Sequence, residues 1–413
     1  MTSQIKPVLA ALRHHRSATT LIALQIALTL AIVCNALYIG QQRVAHLSRP
    51  TGIDEANIGV IHNTWLGRHN VAEAGTMTAT DLALLRRLPG VTDAYVDVTY
   101  PAVGPWASLL SMKLKPDQVA QTSYAELYTA DDHTLATLGL RLVAGRNFRS
   151  DEVVETASVD GVAPASIIVT RELADVLFPD QPAVGNVVYF SPKPSTIVGV
   201  VAHLQVPAVN TNSFAFRSVL VPARVVSSDT GYGGYYMIRA RPGQLDAVLR
   251  AAPAALRTAN PARLIDAEGG VARYSDLRSE GYARDRGTVL LMSVICVVLL
   301  LASAGGIVGL TSFWVSQRRR QIGIRRALGA TRADILQYFQ TENFLIVSGG
   351  IGLGTLLAVL LNLWLMQHYP LPRLPLIYLP PSALAMWLLG QLAVLGPALR
   401  AAAVPPVVAT RAA

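Results

Sequence analysis

The sequence predicts an α-helical membrane protein: four transmembrane helices, with a large α/β domain inserted between the first and the second. Three observations carry that expectation. Hydrophobic residues make up 52% of the 413, charged residues only 15%, and mean hydropathy is +0.38, values outside the range of an ordinary soluble chain. The apolar residues gather in four runs long enough to cross a hydrocarbon core as helices. Charge is segregated as well: of 35 Lys and Arg and 26 Asp and Glu, the stretch from Gln41 to Arg286 holds 23 and 24, leaving 12 and 2 elsewhere. The basic excess therefore flanks apolar runs, which is the positive-inside pattern of membrane insertion and not a nucleic-acid footprint, despite a pI near 9.7.

In chain order, residues 1–17 are short and basic, with Lys6, Arg13 and Arg16, and lead into a first span at 18–40. Its apolar run is longer than the core of a cleaved signal peptide and no convincing small-residue cleavage site follows, so a retained helix with a cytoplasmic N-terminus is expected. From Gln41 to Arg286 the composition is mixed, with balanced charge and frequent Gly and Pro. This reads as a folded aqueous domain outside the inner membrane. Two β-α-β passages lie near its ends: Asn57–Ile61, Asp81–Leu88 and Val91–Val98, then Tyr235–Ala240, Gln244–Leu256 and Arg263–Ala267. They are expected to form one membrane-proximal subdomain, about 41–120 and 225–286, with a distal lobe at about 121–224. Within that lobe a strand from Ile167, a helix begun at Thr170 and stopped by Pro179, a Gly185-Asn186 turn and further strands are expected.

Alternating charges from Tyr274 to Arg286 predict a helix running into the second span, 288–315, as a rigid lever. The third span is expected at 342–366, a Pro-rich return at 367–381 whose one formal charge is Arg373, the fourth span at 382–399 and a cytoplasmic tail at 400–413. Gly305 and Gly309 in the second span, and Gly350 and Gly354 in the third, form G-x-x-x-G pairs that would admit close helix packing. The competing reading is that they are incidental, since glycine is common in membrane helices. This topology leaves 11 of the 12 basic residues outside the large domain on the cytoplasmic side.

The most informative stretch, Gln317–Phe339, joins the second and third spans. It reads as two short helices at a membrane surface. The first ends at Leu328, because Gly329 accepts a left-handed terminus; the second begins at Thr331, whose hydroxyl caps it while Asp334 sits in the positive first turn. Ile324, Ala327 and Leu328 share one face, Ile335 and Phe339 another, and Arg318, Arg319, Arg320, Arg325, Arg326 and Arg332 occupy the rest. A merely solvated basic helix is the alternative to a docking element.

This stretch, R-R-Q-I-G-I-R-R-A-L-G-A-T-R-A-D-I from Arg319, resembles the signature of MacB/FtsX-type ABC transporter permeases. The resemblance extends to Gly145-Arg-Asn-Phe148, Leu173-Ala-Asp-Val-Leu-Phe178 and Val198-Gly-Val-Val201, which are similar to motifs of the MacB-like periplasmic core domain, and to the tail beginning at Pro397. The match weakens from His203 to Gly234. The resemblance implies a multi-pass bacterial inner-membrane permease, with both termini cytoplasmic and the large domain periplasmic. It further implies that Arg318, Arg319, Arg320, Ile322, Ile324, Arg325, Arg326, Leu328, Gly329, Thr331 and Asp334 couple the spans to an ABC ATPase subunit. Implied partners are that ATPase, a second permease in a homodimer or heterodimer, membrane lipid and, as a further candidate, a periplasmic adaptor. The implied activity is export or extraction of an amphiphilic, peptide, antibiotic or lipoprotein substrate. A sensor or scaffold acting on a membrane kinase or cell-wall hydrolase, without transport, is the alternative.

The chemistry absent from the sequence is consistent with that division of labour. The four lysines, Lys6, Lys113, Lys115 and Lys193, are followed by Pro, Leu, Pro and Pro, so no G-x-x-x-x-G-K-[ST] loop exists to cradle a nucleotide. No cofactor is expected on this chain, and ATP with Mg would be held by a separate ATPase polypeptide. No H-E-x-x-H or G-x-S-x-G pattern occurs, and no catalytic or metal-binding residues are expected. Asp131, Asp132 and His133 read as a solvated turn. Cys34 and Cys296 fall inside apolar runs and read as packing residues.

Overall fold

The computed structural model describes residues 16–403 except 68, 104–107, 160–161, 207–213, 229–230, 267–268 and 369–372. Two compact units emerge, one formed by Met1–Leu47 with Arg284–Ala413, the other by Ser48–Ala283. The expected N-terminal basic residues Lys6 and Arg13, and the tail from 404 onward, lie outside the described residues.

The first unit contains four helices long and apolar enough to cross a membrane: Thr19–Leu47, Ala283–Gln317, Arg332–His368 and Leu376–Ala402. Their helices are α1 (Arg16–Leu47), α7 (Ala283–Gln317), α9 (Arg332–His368) and α10 (Leu379–Ala402), with a short α8 (Arg319–Ala327) between the second and third. Each helix runs past the apolar stretch read from sequence. α9 does so most, because Arg332 to Thr341 continue the third span without a break instead of forming a second short helix. Within an apolar bundle, polar side chains satisfy backbone carbonyls on neighbouring helices. Gln25 donates to Ala302 O (3.1 Å), Asn35 to Ala358 O (3.0 Å) and Asn343 to Gly390 O (2.9 Å), while Thr29 and Ser303 pair hydroxyls at 2.8 Å. Arg43 of α1 pairs with the buried Asp285 of α7 at 2.9 Å.

The two glycine pairs behave differently. At Gly350 and Gly354 a Cβ would sit 2.9 Å from Ile26 side-chain atoms and 2.9 Å from the Ala27 backbone, so α1 lies directly against α9. At Gly305 and Gly309 nothing among the described residues lies within 4 Å, and close packing is not found there; in α7 a Cβ at Gly306 would meet Gln25. Cys34 and Cys296 are free and buried.

The second unit is four layers deep. A six-stranded antiparallel sheet contains β1 (Ile58–Trp65), β2 (Val91–Asp97), β11 (Ser227–Ser228), β12 (Gly231–Ala240), β13 (Arg263–Leu264) and β14 (Val271–Arg273). In it β12 lies between β1 and β2. The strands of both β-α-β passages thus share one sheet. Helices α2 (Val71–Arg87) and α5 (Leu245–Ala259) cover its outer face through Leu82, Leu85, Val248 and Leu256. α2 starts ten residues earlier than the sequence suggested, because Asn70 and Glu73 form a capping box (Glu73 N to Asn70 Oδ1, 2.9 Å).

A mixed eight-stranded sheet follows the path β3 (Leu109–Met112), β4 (Ser123–Ala130), β10 (Ser218–Val225), β7 (Ser166–Thr170), β9 (Ser195–Val201) and β5 (Leu142–Gly145), with β6 (Val154–Thr156) and β8 (Val187–Val188) on its flanks. Helix α4 (Arg171–Leu177) covers the outer face through Leu173 and Leu177. The strand β3, placed by sequence in the membrane-proximal part, belongs to this second sheet instead. Strand alternation distributes each strand's side chains between two cores. Ile61, Ala94 and Ile238 point to the helices, whereas Val60, Tyr95 and Met237 meet Tyr128, Ile168 and Leu220 of the other sheet. The facing sides of the two sheets therefore share the core between them.

Two expectations fail here. Tyr274–Arg286 is not one helix: α6 (Tyr274–Gly281) ends before the buried Tyr282, whose hydroxyl accepts from Gln205 (2.5 Å), and α7 begins after it. Nor is Asp131-Asp132-His133 a solvated turn. Asp131 is buried, accepts from Thr134 Oγ1 (3.0 Å) at the start of the short helix α3 (Thr134–Leu138) and pairs with Arg224 (3.1 Å), while His133 Nδ1 meets Asp93 at 2.8 Å. The cluster ties β2 of one sheet to β4 and β10 of the other. Among the described residues no group of three or more His, Cys, Asp or Glu could hold a metal.

Candidate functional site

The elbow between α7 and α9 is built by local backbone rules. α8 ends in a paired terminus: Ala330 N–H donates to Arg325 O (3.0 Å) and Gly329 N–H to Arg326 O (3.2 Å), with Gly329 at φ +102° where a side chain would be strained. One residue later Thr331 and Asp334 cap α9 reciprocally, Asp334 N to Thr331 Oγ1 at 3.2 Å and Thr331 N to Asp334 Oδ2 at 2.9 Å. Gly329, Thr331 and Asp334 thus shape the turn; their atoms are engaged in the backbone.

The tertiary contacts divide α8 into two sides. Ile322, 5% exposed, joins the helix-bundle core together with Ile335, Phe339, Ala401 and Ala402. Arg326 donates to Ala402 O (3.0 Å) at the C-terminus of α10, where carbonyls are unpaired and the helix dipole favours a cation. On the other side Ile324 is 48% and Leu328 83% exposed, one helical turn apart, and Arg319, Arg320 and Arg325 are exposed around them. Ile324 and Ala327 remain on the exposed side, whereas Ile335 and Phe339 are buried. The expected coupling residues are therefore not one surface: Ile322 and Arg326 hold α8 to the bundle, Arg325 is exposed but lies against Tyr338 of α9, and Arg319, Arg320, Ile324 and Leu328 are exposed.

Arg318 belongs to neither side. It lies in the joint between α7 and α8, and its Nη1 reaches both carboxylate oxygens of Glu342 at 3.2 Å. The same atom approaches Tyr338 Oη at 3.5 Å, and Arg325 stacks its guanidinium 5.1 Å from the Tyr338 ring centre. Glu342 and Tyr338 were absent from the residues picked out by motif. A signal was available: Glu342 is one of only two carboxylates outside residues 41–286, and an acidic residue within an apolar span needs a partner.

Comparison with known proteins agrees with this architecture. The model of the MacB-like periplasmic core domain matches residues 17–255, and that of the FtsX-like permease C-terminal region matches 293–406. The macrolide export ATP-binding/permease protein MacB of Neisseria gonorrhoeae is 29% identical over 246 residues, covering 57% of this chain and 35% of its own length. The uncharacterized ABC transporter permease YvrN of Bacillus subtilis is 26% identical over 299 residues, 71% of each chain. The crystal structure of the periplasmic region of MacB from Actinobacillus actinomycetemcomitans aligns with a TM-score of 0.35 and 12% identity, over 57% of this chain and 96% of that one. The present chain thus spans about a third of the MacB relative's length. With the core-domain model covering more than half of it, the chain belongs to the MacB/FtsX family of ABC transporter permeases.

Proposed function

We propose that this chain is the membrane subunit of an ABC transporter complex, with the outward side of α8 as the docking site for a separate ATPase subunit. The observation that carries this reading is the exposed Ile324–Leu328 pair ringed by Arg319, Arg320 and Arg325 on a helix whose opposite side is anchored by Ile322. An apolar centre with a charged rim is the composition of a protein interface. The basic excess beside the spans supports a cytoplasmic elbow and cytoplasmic termini, with the Ser48–Ala283 unit on the periplasmic side of the inner membrane. ATP and Mg are held by the ATPase; this chain works as a dimer and transmits closure of the ATPases to its periplasmic domains through two packed states that nucleotide favours unequally. Cargo is an amphiphile, peptide, antibiotic or lipoprotein, and a periplasmic adaptor is a candidate further partner.

The test is affinity purification of the full chain from its native membrane. Leu328→Glu with Arg325→Glu is expected to insert normally and lose the ATPase that co-purifies with the parent. An ATPase retained at parental stoichiometry refutes the docking role.

A further inference from the structure

Arg318 is the single residue separating α7 from α8, with φ −97° and ψ 7° outside helical values. It is the covalent joint between the two helices. Its guanidinium is committed to a carboxylate on a third element: Glu342 lies eleven residues into α9, its side chain 3% exposed. Glu342 hydrogen-bonds to Arg318 alone among the contacts of the described residues. A carboxylate in an apolar setting is stable only beside its counter-charge, so Arg318 and Glu342 move together or the pair is broken at high cost. Tyr338, one turn before Glu342, extends the chain of contacts outward: its hydroxyl faces Arg318 and its ring carries Arg325, which is on the exposed docking side.

We infer that Glu342 is a positioning residue that transmits displacement of the elbow to the third span, with Arg318 as its partner at the joint and Tyr338 as the link to the docking face. The inference rests on the docking role proposed above. α9 is suited to receive such a push: it is one uninterrupted helix of 37 residues, about 55 Å at 1.5 Å per residue, so movement at Glu342 is carried to its far end. Without the pair, α8 keeps Ile322 and Arg326 as its anchors on the bundle, but the joint loses its ionic tie to α9 and displacement there is no longer passed on in full. ATP hydrolysis would then continue with less work done on the spans.

The experiment uses the full chain with its co-purified ATPase in nanodiscs, Cys34 and Cys296 replaced by Ala, and spin labels on Gly287→Cys and Gln367→Cys. Both positions are exposed and lie at the ends of α7 and α9 remote from the elbow. The label-to-label distance is measured without nucleotide and after ATP with orthovanadate. The parent is expected to show a shift; Glu342→Gln is expected to keep the ATPase bound and hydrolysing while losing the shift, and Arg318→Glu combined with Glu342→Arg to recover it. Should Glu342→Gln fail to insert, Arg318→Gln breaks the same pair from the joint side and is expected to lose the shift in the same way. A full shift in either single variant, or no shift in the parent, overturns the inference. The two failures are distinguishable: an ATPase that stays on the Leu328→Glu, Arg325→Glu chain refutes the docking role, whereas a full shift in Glu342→Gln with the ATPase bound refutes the coupling pair.

Discussion

Gly354 shows how much a single missing side chain decides. Its Cα faces the Ala27 backbone at a distance no Cβ tolerates, whereas Gly305, in an identical sequence motif, faces open space. Gly354→Val is therefore expected to destabilise the bundle by about 1–3 kcal/mol through overpacking, and Gly305→Val to leave it nearly unchanged; thermal unfolding in detergent separates the two. Asp97 is another residue whose surroundings set its behaviour. It is buried between the sheets, held by the Thr129 hydroxyl and the Val98 N–H (2.7 Å), with its second oxygen without a hydrogen-bond partner among the described residues. Burial pushes its pKa up to about 7, and burial does the same to Glu126. A folded-state pKa above the ordinary carboxylate value means that the folded domain holds protons the unfolded chain releases. Stability contributed by these groups is thus present at about pH 4 and declines as pH rises towards about 7. Asp97→Asn is expected to flatten that decline without abolishing it, since Glu126 remains, as read by hydrogen exchange of β2 and β4. Glu152 acts oppositely: its pairing with Arg146 (2.7 Å) lowers its pKa to about 2, so its contribution is lost as pH falls below the ordinary carboxylate range.

Individual elements owe their limits to caps and their positions to one or two anchors. α2 begins at Val71 because Asn70 and Glu73 satisfy the first free N–H groups reciprocally; Asn70→Ala is expected to cost about 1 kcal/mol, measurable as a lowered urea midpoint. α8, only nine residues long, is too short to persist by intrinsic propensity. Ile322 in the core and Arg326 on the α10 terminus hold it. Ile322→Asp is accordingly expected to release α8 and to raise proteolysis after Arg319, Arg320 and Arg325, with the spans still inserted.

For the whole molecule, sidedness is the property with the sharpest test. Val119 is 96% exposed in the Ser48–Ala283 unit, and Arg332 is exposed in the elbow. In a chain lacking Cys34 and Cys296, Val119→Cys is expected to react with an impermeant maleimide added outside the inner membrane, and Arg332→Cys only after permeabilisation. The reverse result inverts the proposed topology. Asp131, a tempting position in the same domain by sequence, is buried and would report nothing.

Composition and charge segregation determined the four-span plan and the inserted aqueous domain, and residue periodicity its α/β character, because apolar length, positive flanks and spacing are properties of the chain itself and of the bilayer it meets. Gly329 and the Thr331–Asp334 cap were equally legible, since backbone termini are satisfied by residues a few positions away. Tertiary structure decided what depends on distant neighbours. Gly350 and Gly354 pack while Gly305 and Gly309 do not, Asp131 is enclosed by Arg224 from another strand, and Tyr282 interrupts a helix through its contact with Gln205. The partition of the elbow arginines follows the same rule. Arg318 and Arg325 are indistinguishable by local pattern, and only the approach of α9 assigns the first to buried Glu342 and the second, still exposed, to the Tyr338 ring.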